Sequence, residues 1–223
     1  EDISAPRCFE IEERLRAELS IPVMHDDQWG AATVTLAGVI NSLKLIGKTK
    51  EEVKVVLSGI GAAGVATARL LLIYGIKNIV FCDSGGIIYE GREGMTKEKK
   101  ELLAGSTASV EAGDLALAVQ NADIFIGLSK PDVLTPDMVR SMAIKPVIFA
   151  LANPSPEIMP DIAIQAGAYI VATGRSDFPN QINNALVYPG IFKGVLEKNI
   201  PQFKNEMFKI GRASCRERVS SPV

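Results

Sequence analysis

From residue 53 onward, short apolar runs alternate with longer stretches whose apolar residues return every three or four positions. The runs 53–58, 79–82, 124–126, 147–150 and 169–172 are rich in β-branched and aromatic residues and too short for helices, so they are predicted as strands. The stretches 62–74, 136–142 and 156–165 are predicted as helices, the last two opened by Pro136 and Pro156. Strands that are apolar along their whole length and separated by helices imply a parallel sheet covered on both faces. Right-handed crossovers then give a doubly wound α/β arrangement.

Ahead of residue 53 the period is helical. Ser4 and Pro6 open a helix in which Cys8, Phe9, Ile11, Leu15 and Leu19 share one face. Residues 21–24 read as a short strand, and 31–45 as a second helix closed by Gly47. Its many small residues permit close packing, which suits a helix joining two domains. The predicted organisation is a helical, acid-bearing segment over 1–50, an α/β domain over 51–210 and a tail over 211–223. The tail carries three Arg and several Ser without apolar periodicity. It reads as a translated adapter and is expected to be disordered, outside the fold. Because the chain opens on Glu1-Asp2 without an initiator Met, a preceding part is expected, and a secretory signal is not.

Composition narrows this picture. The 223 residues carry 24 basic and 26 acidic side chains, a balance that gives no reason to expect nucleic acid as a partner. Apolar positions are broken by Gly and charge, so no run is expected to cross a membrane. Cys8, Cys82 and Cys215 show no paired spacing; the first two are predicted as buried free thiols, and a reducing cytoplasm is the expected compartment.

The first candidate site lies where Val55-Val56-Leu57-Ser58 runs into Gly59-Ile60-Gly61-Ala62-Ala63-Gly64 and a helix follows at once. Gly59 permits the tight turn, Gly61 lets backbone approach a pyrophosphate, and Gly64 lets helix pack on strand. The helix start, including Ala62 and Ala63, offers free N–H groups and partial positive charge. Asp83 closes the next strand, where a carboxylate accepts hydrogen bonds from the adenosine ribose. This context defines a Rossmann-type fold. Ser84-Gly85-Gly86 supplies no immediate cation for a 2′-phosphate, so NAD is favoured over NADP, with Arg92 and Lys97 able to fold back.

Other candidates are less determined by their residues. Glu1, Asp2 and the Asp26-Asp27 pair bracket the first helix; oxygen ligands suit Mg²⁺ or Mn²⁺, and a solvated acidic end is the alternative. His25, the one histidine, is open to being a ligand, an acid–base or a side chain held by a carboxylate. Asn153 follows a strand, as does Ser129, so both fall where ligands collect in such sheets. Asn183 and Asn184 offer uncharged donors and acceptors, and are equally read as a helix cap.

Four motifs in order resemble the malic enzyme family: Glu1-Asp2-Ile3-Ser4-Ala5-Pro6-Arg7, Ile21-Pro22-Val23-Met24-His25-Asp26-Asp27-Gln28, Leu151-Ala152-Asn153-Pro154, and Asn180-Gln181-Ile182-Asn183-Asn184 with Tyr188-Pro189-Gly190. The resemblance implies metal ligation by Glu1, Asp2 and Asp27, a functional carboxylate at Asp26, and contacts of Asn153 and Asn184 with malate and the nicotinamide end of the cofactor. It implies oxidative decarboxylation of malate to pyruvate with reduction of NAD or NADP, in a homo-oligomer. A malolactic enzyme, which releases lactate, and a nucleotide-binding module without turnover are the rival expectations. The catalytic Tyr and Lys and a substrate-binding Arg of the family belong ahead of Glu1, so no residue here takes their roles and the chain alone is expected to be inactive. Trp29 and Ala31 stand where the bacterial branch shows His and Thr, which is expected to alter the fine tuning of cofactor or substrate.

Overall fold

The computed structural model describes residue 3, residues 5–204 and residues 206–208. Six strands, β1 (Val55–Ser58), β2 (Ile79–Asp83), β3 (Gly86–Ile87), β4 (Ile124–Gly127), β5 (Val147–Ala150) and β6 (Ile170–Thr173), form one sheet in the order β3-β2-β1-β4-β5-β6. Neighbours are parallel and in step: Val55 pairs with Ile79 and Ile124, Ile124 with Val147, and Val147 with Ile170. The exception is β3, which returns antiparallel on β2 through Cys82–Ile87 and Asp83–Gly86. The sheet is therefore mixed rather than wholly parallel. Ser84 and Gly85 close the chain into a hairpin at this edge, where a crossover helix would have been needed to keep it parallel.

Side-chain alternation along the strands builds two cores. Val55, Leu57, Ile79, Phe81, Ile124, Ile126, Val147 and Phe149 pack with α2 (Asp26–Ile46), α3 (Ala62–Tyr74) and α8 (Tyr188–Glu197). Val56, Val80, Phe125, Ile148 and Val171 point the other way, against α5 (Leu115–Val119), α6 (Pro136–Ser141) and α7 (Pro160–Gln165). Helices cover both faces, as predicted, because every strand position from 55 to 58 and from 124 to 127 is buried. Cys8 and Cys82 are buried free thiols; burial pushes the Cys82 thiol up to about 12.

Several local expectations change. Residues 21–24 form no strand; with no neighbouring strand beside them they only lead the chain into α2. α2 begins at Asp26 rather than at residue 31, so the acidic pair sits in its first turn, where carboxylates suit the helix dipole. The helix expected over 156–165 starts at Pro160, because Pro156 and Glu157 are drawn into contacts of their own. In α1 (Arg7–Glu18) Cys8 and Glu12 are the buried positions, while Ile11 and Leu15 on the expected apolar face are exposed. α2 also has the length and hydropathy of a membrane span, against expectation, but 67% of its most apolar window is buried in this fold.

Asp123, just ahead of β4, carries no signal in the local sequence. Only 2% exposed, it accepts hydrogen bonds from the Lys54 N–H at 2.9 Å and from Lys48 Nζ at 2.6 Å. Asp123→Ala leaves the Lys54 donor without its acceptor, and a loss of about 2 kcal/mol is expected in urea unfolding.

Candidate functional site

The glycine turn is built as its spacing requires. Gly59 has φ +105°, and a Cβ there would lie 2.3 Å from the Leu128 carbonyl oxygen, so only glycine lets the turn touch the loop after β4. A Cβ on Gly64 would lie 1.8 Å from the Gly59 carbonyl, which is the close approach of α3 to β1. Gly61 differs: an added Cβ would meet no protein atom within 4 Å. A side chain added there would reach open space rather than protein.

Gly61, Ala62 and Ala63 line a cavity of about 650 Å³ together with Asp27, Asn153 and Asn184. The loops at the carboxyl ends of β1, β4 and β5 thus meet the first turn of α2 around one space, where ligands of open α/β sheets bind. A larger hollow of about 1020 Å³ is lined by residues of the 90–95 loop, α4 (Lys97–Gly105) and 108–110, and none of those carboxyl-end loops reaches it.

Asp26 is not among the residues that line this cavity; it is buried, and its Oδ2 accepts a hydrogen bond from Asn184 Nδ2, a lining residue, at 2.5 Å. The pair joins residues 158 positions apart, bringing two motifs of the sequence together. Gly30 makes the room: a Cβ there would lie 2.0 Å from Asp26 Oδ1. Alanine for glycine inside a helix ordinarily gains about 1 kcal/mol. Gly30→Ala is expected to lower the thermal midpoint instead, because the Asp26–Asn184 bond must give way; a rise in that midpoint would refute the assignment.

Asp27 keeps about half its side chain exposed, and its Oδ2 lies 3.9 Å from His25 Nε2. The other predicted ligands, Glu1 and Asp2, lie outside the described residues. Among the described residues no group of three or more His, Cys, Asp or Glu is gathered in the manner of a metal site. Of the predicted ligand set, Asp27 alone is described, and it lines the cavity together with Ile3.

Asn153 lines the cavity and is exposed, as a ligand-facing amide should be. Asn183 also lines it, but its side chain is engaged with the backbone, accepting from Ala185 N–H and donating to the Gly174 carbonyl. Ser129 is exposed in the loop after β4, its hydroxyl 3.4 Å from that of Ser58.

Two features escaped the sequence reading. The first is at Asp83: no cation follows it immediately and Arg92 folds back onto it, both as expected, but Lys99 is a second cation to which the sequence does not point. Arg92 Nη2 donates to Asp83 Oδ1 at 2.6 Å, and Lys99 Nζ to Oδ2 at 2.7 Å. Lys97, the other expected cation, turns to Glu101 instead. Burial pushes the Asp83 carboxyl up, but hydrogen bonds from Lys99, Arg92 and the Gly85 N–H outweigh it and hold the group below its usual value. Gly85 admits the guanidinium, since a Cβ there would lie 2.3 Å from Arg92 Nη2. The second is Glu157, fully buried behind the loops after β4 and β5; burial pushes its carboxyl up despite backbone donors that pull it down.

Trp29 does not crowd the cavity. It is buried between α1 and Phe208, its Nε1 donating to Glu12 at 3.0 Å and its ring stacked 4.7 Å from that of Phe208. Glu12 also accepts from the His25 N–H and from Gln28 Nε2, which ties α1 to the start of α2. Ala31, by contrast, lines the cavity.

A dinucleotide-binding α/β domain is the class that this sheet order, glycine turn and cavity define. The chain matches the family model described as malic enzyme, NAD binding domain, over residues 29–221, and belongs to that family. It is 54% identical over 208 residues to the bifunctional malic/malolactic enzyme of Bacillus subtilis, covering 93% of this chain and 51% of that protein. It is 48% identical to the NAD-dependent malic enzyme of Geobacillus stearothermophilus (93% and 43%) and 46% identical to the NADP-dependent malic enzyme of Escherichia coli (93% and 27%). The chain thus spans about half or less of these relatives. Among solved structures, NAD-dependent malic enzyme from Thermotoga maritima superposes with a TM-score of 0.93 at 47% identity, covering 99% of this chain and 59% of that one. The Entamoeba histolytica malic enzyme superposes with a TM-score of 0.90 at 43% identity, covering 95% and 46%.

Proposed function

We propose that this chain is the dinucleotide- and metal-binding part of an enzyme that oxidises malate and releases one carboxyl as CO₂, giving pyruvate and a reduced nicotinamide dinucleotide. One observation carries the reading: the glycine turn, Asp27, Asn153 and Asn184 line a single cavity. The N–H groups opening α3 receive the pyrophosphate, and Asp83 with Arg92 and Lys99 receives the adenosine ribose. Asn153 and Asn184 bind the substrate and the nicotinamide amide with uncharged donors and acceptors. Asp26, fixed by Asn184, would be the functional carboxylate beside the cavity, and Asp27 with Glu1 and Asp2 would hold Mg²⁺ or Mn²⁺. When bound, the divalent ion supplies positive charge to the substrate oxygen at C2, which favours both oxidation and decarboxylation.

The half-buried cations at Asp83 support use of NADP as well as NAD. A malolactic outcome, with lactate as product, is the second reading, favoured by the name of the Bacillus subtilis relative. The reading includes small molecules alone as partners, a homo-oligomer and a reducing cytoplasm, with the buried thiols Cys8 and Cys82 in keeping with the last. Calorimetric titration with NAD and with NADP tests the cofactor assignment, and absence of heat with both would overturn it. Chromatography of products from malate, Mn²⁺ and cofactor, in an assembly competent for turnover, separates pyruvate from lactate.

A further inference from the structure

Glu157 follows β5 by a few residues, yet it is 0% exposed. Its Oε1 accepts from the Ser129 N–H at 2.9 Å and faces the Ser129 hydroxyl at 3.4 Å; its Oε2 accepts from the Ala152 N–H at 3.0 Å. Space for the carboxylate comes from Gly127 at the end of β4, where a Cβ would lie 2.3 Å from Glu157 Cδ. Backbone bonds from Leu134 N–H to the Glu157 carbonyl and from Asp132 N–H to the Pro156 carbonyl hold the residue from below. The carboxylate therefore bridges two loops, one bearing Ser129 and the other running from Ala152 into Asn153. The first of these is tied in turn to the glycine turn, because Leu128 N–H donates to the Ser58 carbonyl at 2.8 Å.

We propose that Glu157 is a positioning residue that sets the Asn153 loop relative to the glycine turn, so that a dinucleotide seated by its pyrophosphate finds its nicotinamide end already placed. A buried carboxylate serves this better than a neutral group, since both oxygens accept and neither is left to repel an N–H. Glutamine is nearly the same shape, but one of its two ends is a donor, so it can face only one of the two loops correctly. The inference rests on the dinucleotide reading, and the test separates the two.

The test compares NAD with ADP-ribose, which keeps the adenosine and pyrophosphate but lacks the nicotinamide, by calorimetry on the whole chain and on Glu157→Gln. Thermal unfolding is followed alongside. The expected result is a loss of about tenfold in NAD affinity with ADP-ribose changed by less than about twofold. A purely structural role would weaken both ligands together, and that outcome overturns the proposal, as does unchanged NAD affinity. Glu157→Asp keeps the charge but is too short to reach both loops, and is read by the same criteria if the glutamine variant does not unfold cooperatively. Failure of both variants to fold marks Glu157 as structural only and also overturns the proposal. If the unaltered chain binds neither NAD nor ADP-ribose, it is the dinucleotide reading itself that has failed.

Discussion

Gly61→Val is expected to abolish dinucleotide binding while leaving the fold intact. The residue has ordinary negative φ, and its missing side chain would touch no protein atom within 4 Å. A valine there projects into the cavity also lined by Ala62 and Ala63, where a pyrophosphate must approach the opening of α3. Affinity for NAD should fall by about 100-fold or more, equivalent to roughly 2.7 kcal/mol, with the unfolding midpoint nearly unchanged. Gly64→Val makes the contrast: its side chain collides with the Gly59 carbonyl, so it should fail as a fold before it fails as a site. Binding by calorimetry and unfolding by circular dichroism, measured on both variants, separate the two effects. Retention of tight NAD binding by Gly61→Val would remove the glycine turn from the site.

The second large effect concerns the choice of nucleotide. Asp83, Arg92 and Lys99 are each less than one-fifth exposed, so their interactions are only weakly screened by solvent. A 2′-phosphate brought to this place meets two cations, whereas a 2′-hydroxyl meets an acceptor carboxylate already engaged by both. Lys99→Ala is expected to weaken NADP binding by about tenfold, and Arg92→Ala by at least as much, with NAD changed far less. Asp83→Asn removes the negative charge from beside the phosphate and should shift preference further towards NADP. Competitive titration with the two nucleotides at low and high salt reads these shifts. Equal losses for NAD and NADP in the cation variants would show that Arg92 and Lys99 only hold Asp83. The triad also contributes to stability: because the Asp83 carboxyl is held below its usual value, that contribution is present above the ordinary carboxylate range. It is lost as pH falls through the lowered value.

The sheet was legible because its strands are apolar on both faces and its first turn is punctuated by Gly59, Gly61 and Gly64. Residues 62–74 and 147–150 fall where the periodicity put them. What stayed hidden depends on long-range contact. Ser84-Gly85-Gly86 was read as a stretch without cations, yet the absent side chain at Gly85 is the condition for Arg92 to enter from seven residues on. Glu157 carries no local signal: a carboxylate after Pro156 reads as part of the first turn of a helix over 156–165 until Gly127, thirty residues earlier in the chain, is seen to leave space for it. The site showed the same division. Asp26 and Asn184 were singled out separately, but their bond could not be read from either motif, nor could the need for glycine at position 30.

The hairpin at the sheet's edge has a further consequence. Because β3 is two residues long and folds straight back on β2, residues 83–99 hold Asp83, Arg92 and Lys99 in one contiguous insert hung on the sheet's outermost hydrogen bonds. Exchange of side chains within such an insert leaves the central ladder from β2 through β6 untouched. Substitutions confined to residues 83–99 are therefore expected to move nucleotide preference without disturbing the sheet; relatives of similar identity are named for NAD in one case and for NADP in another.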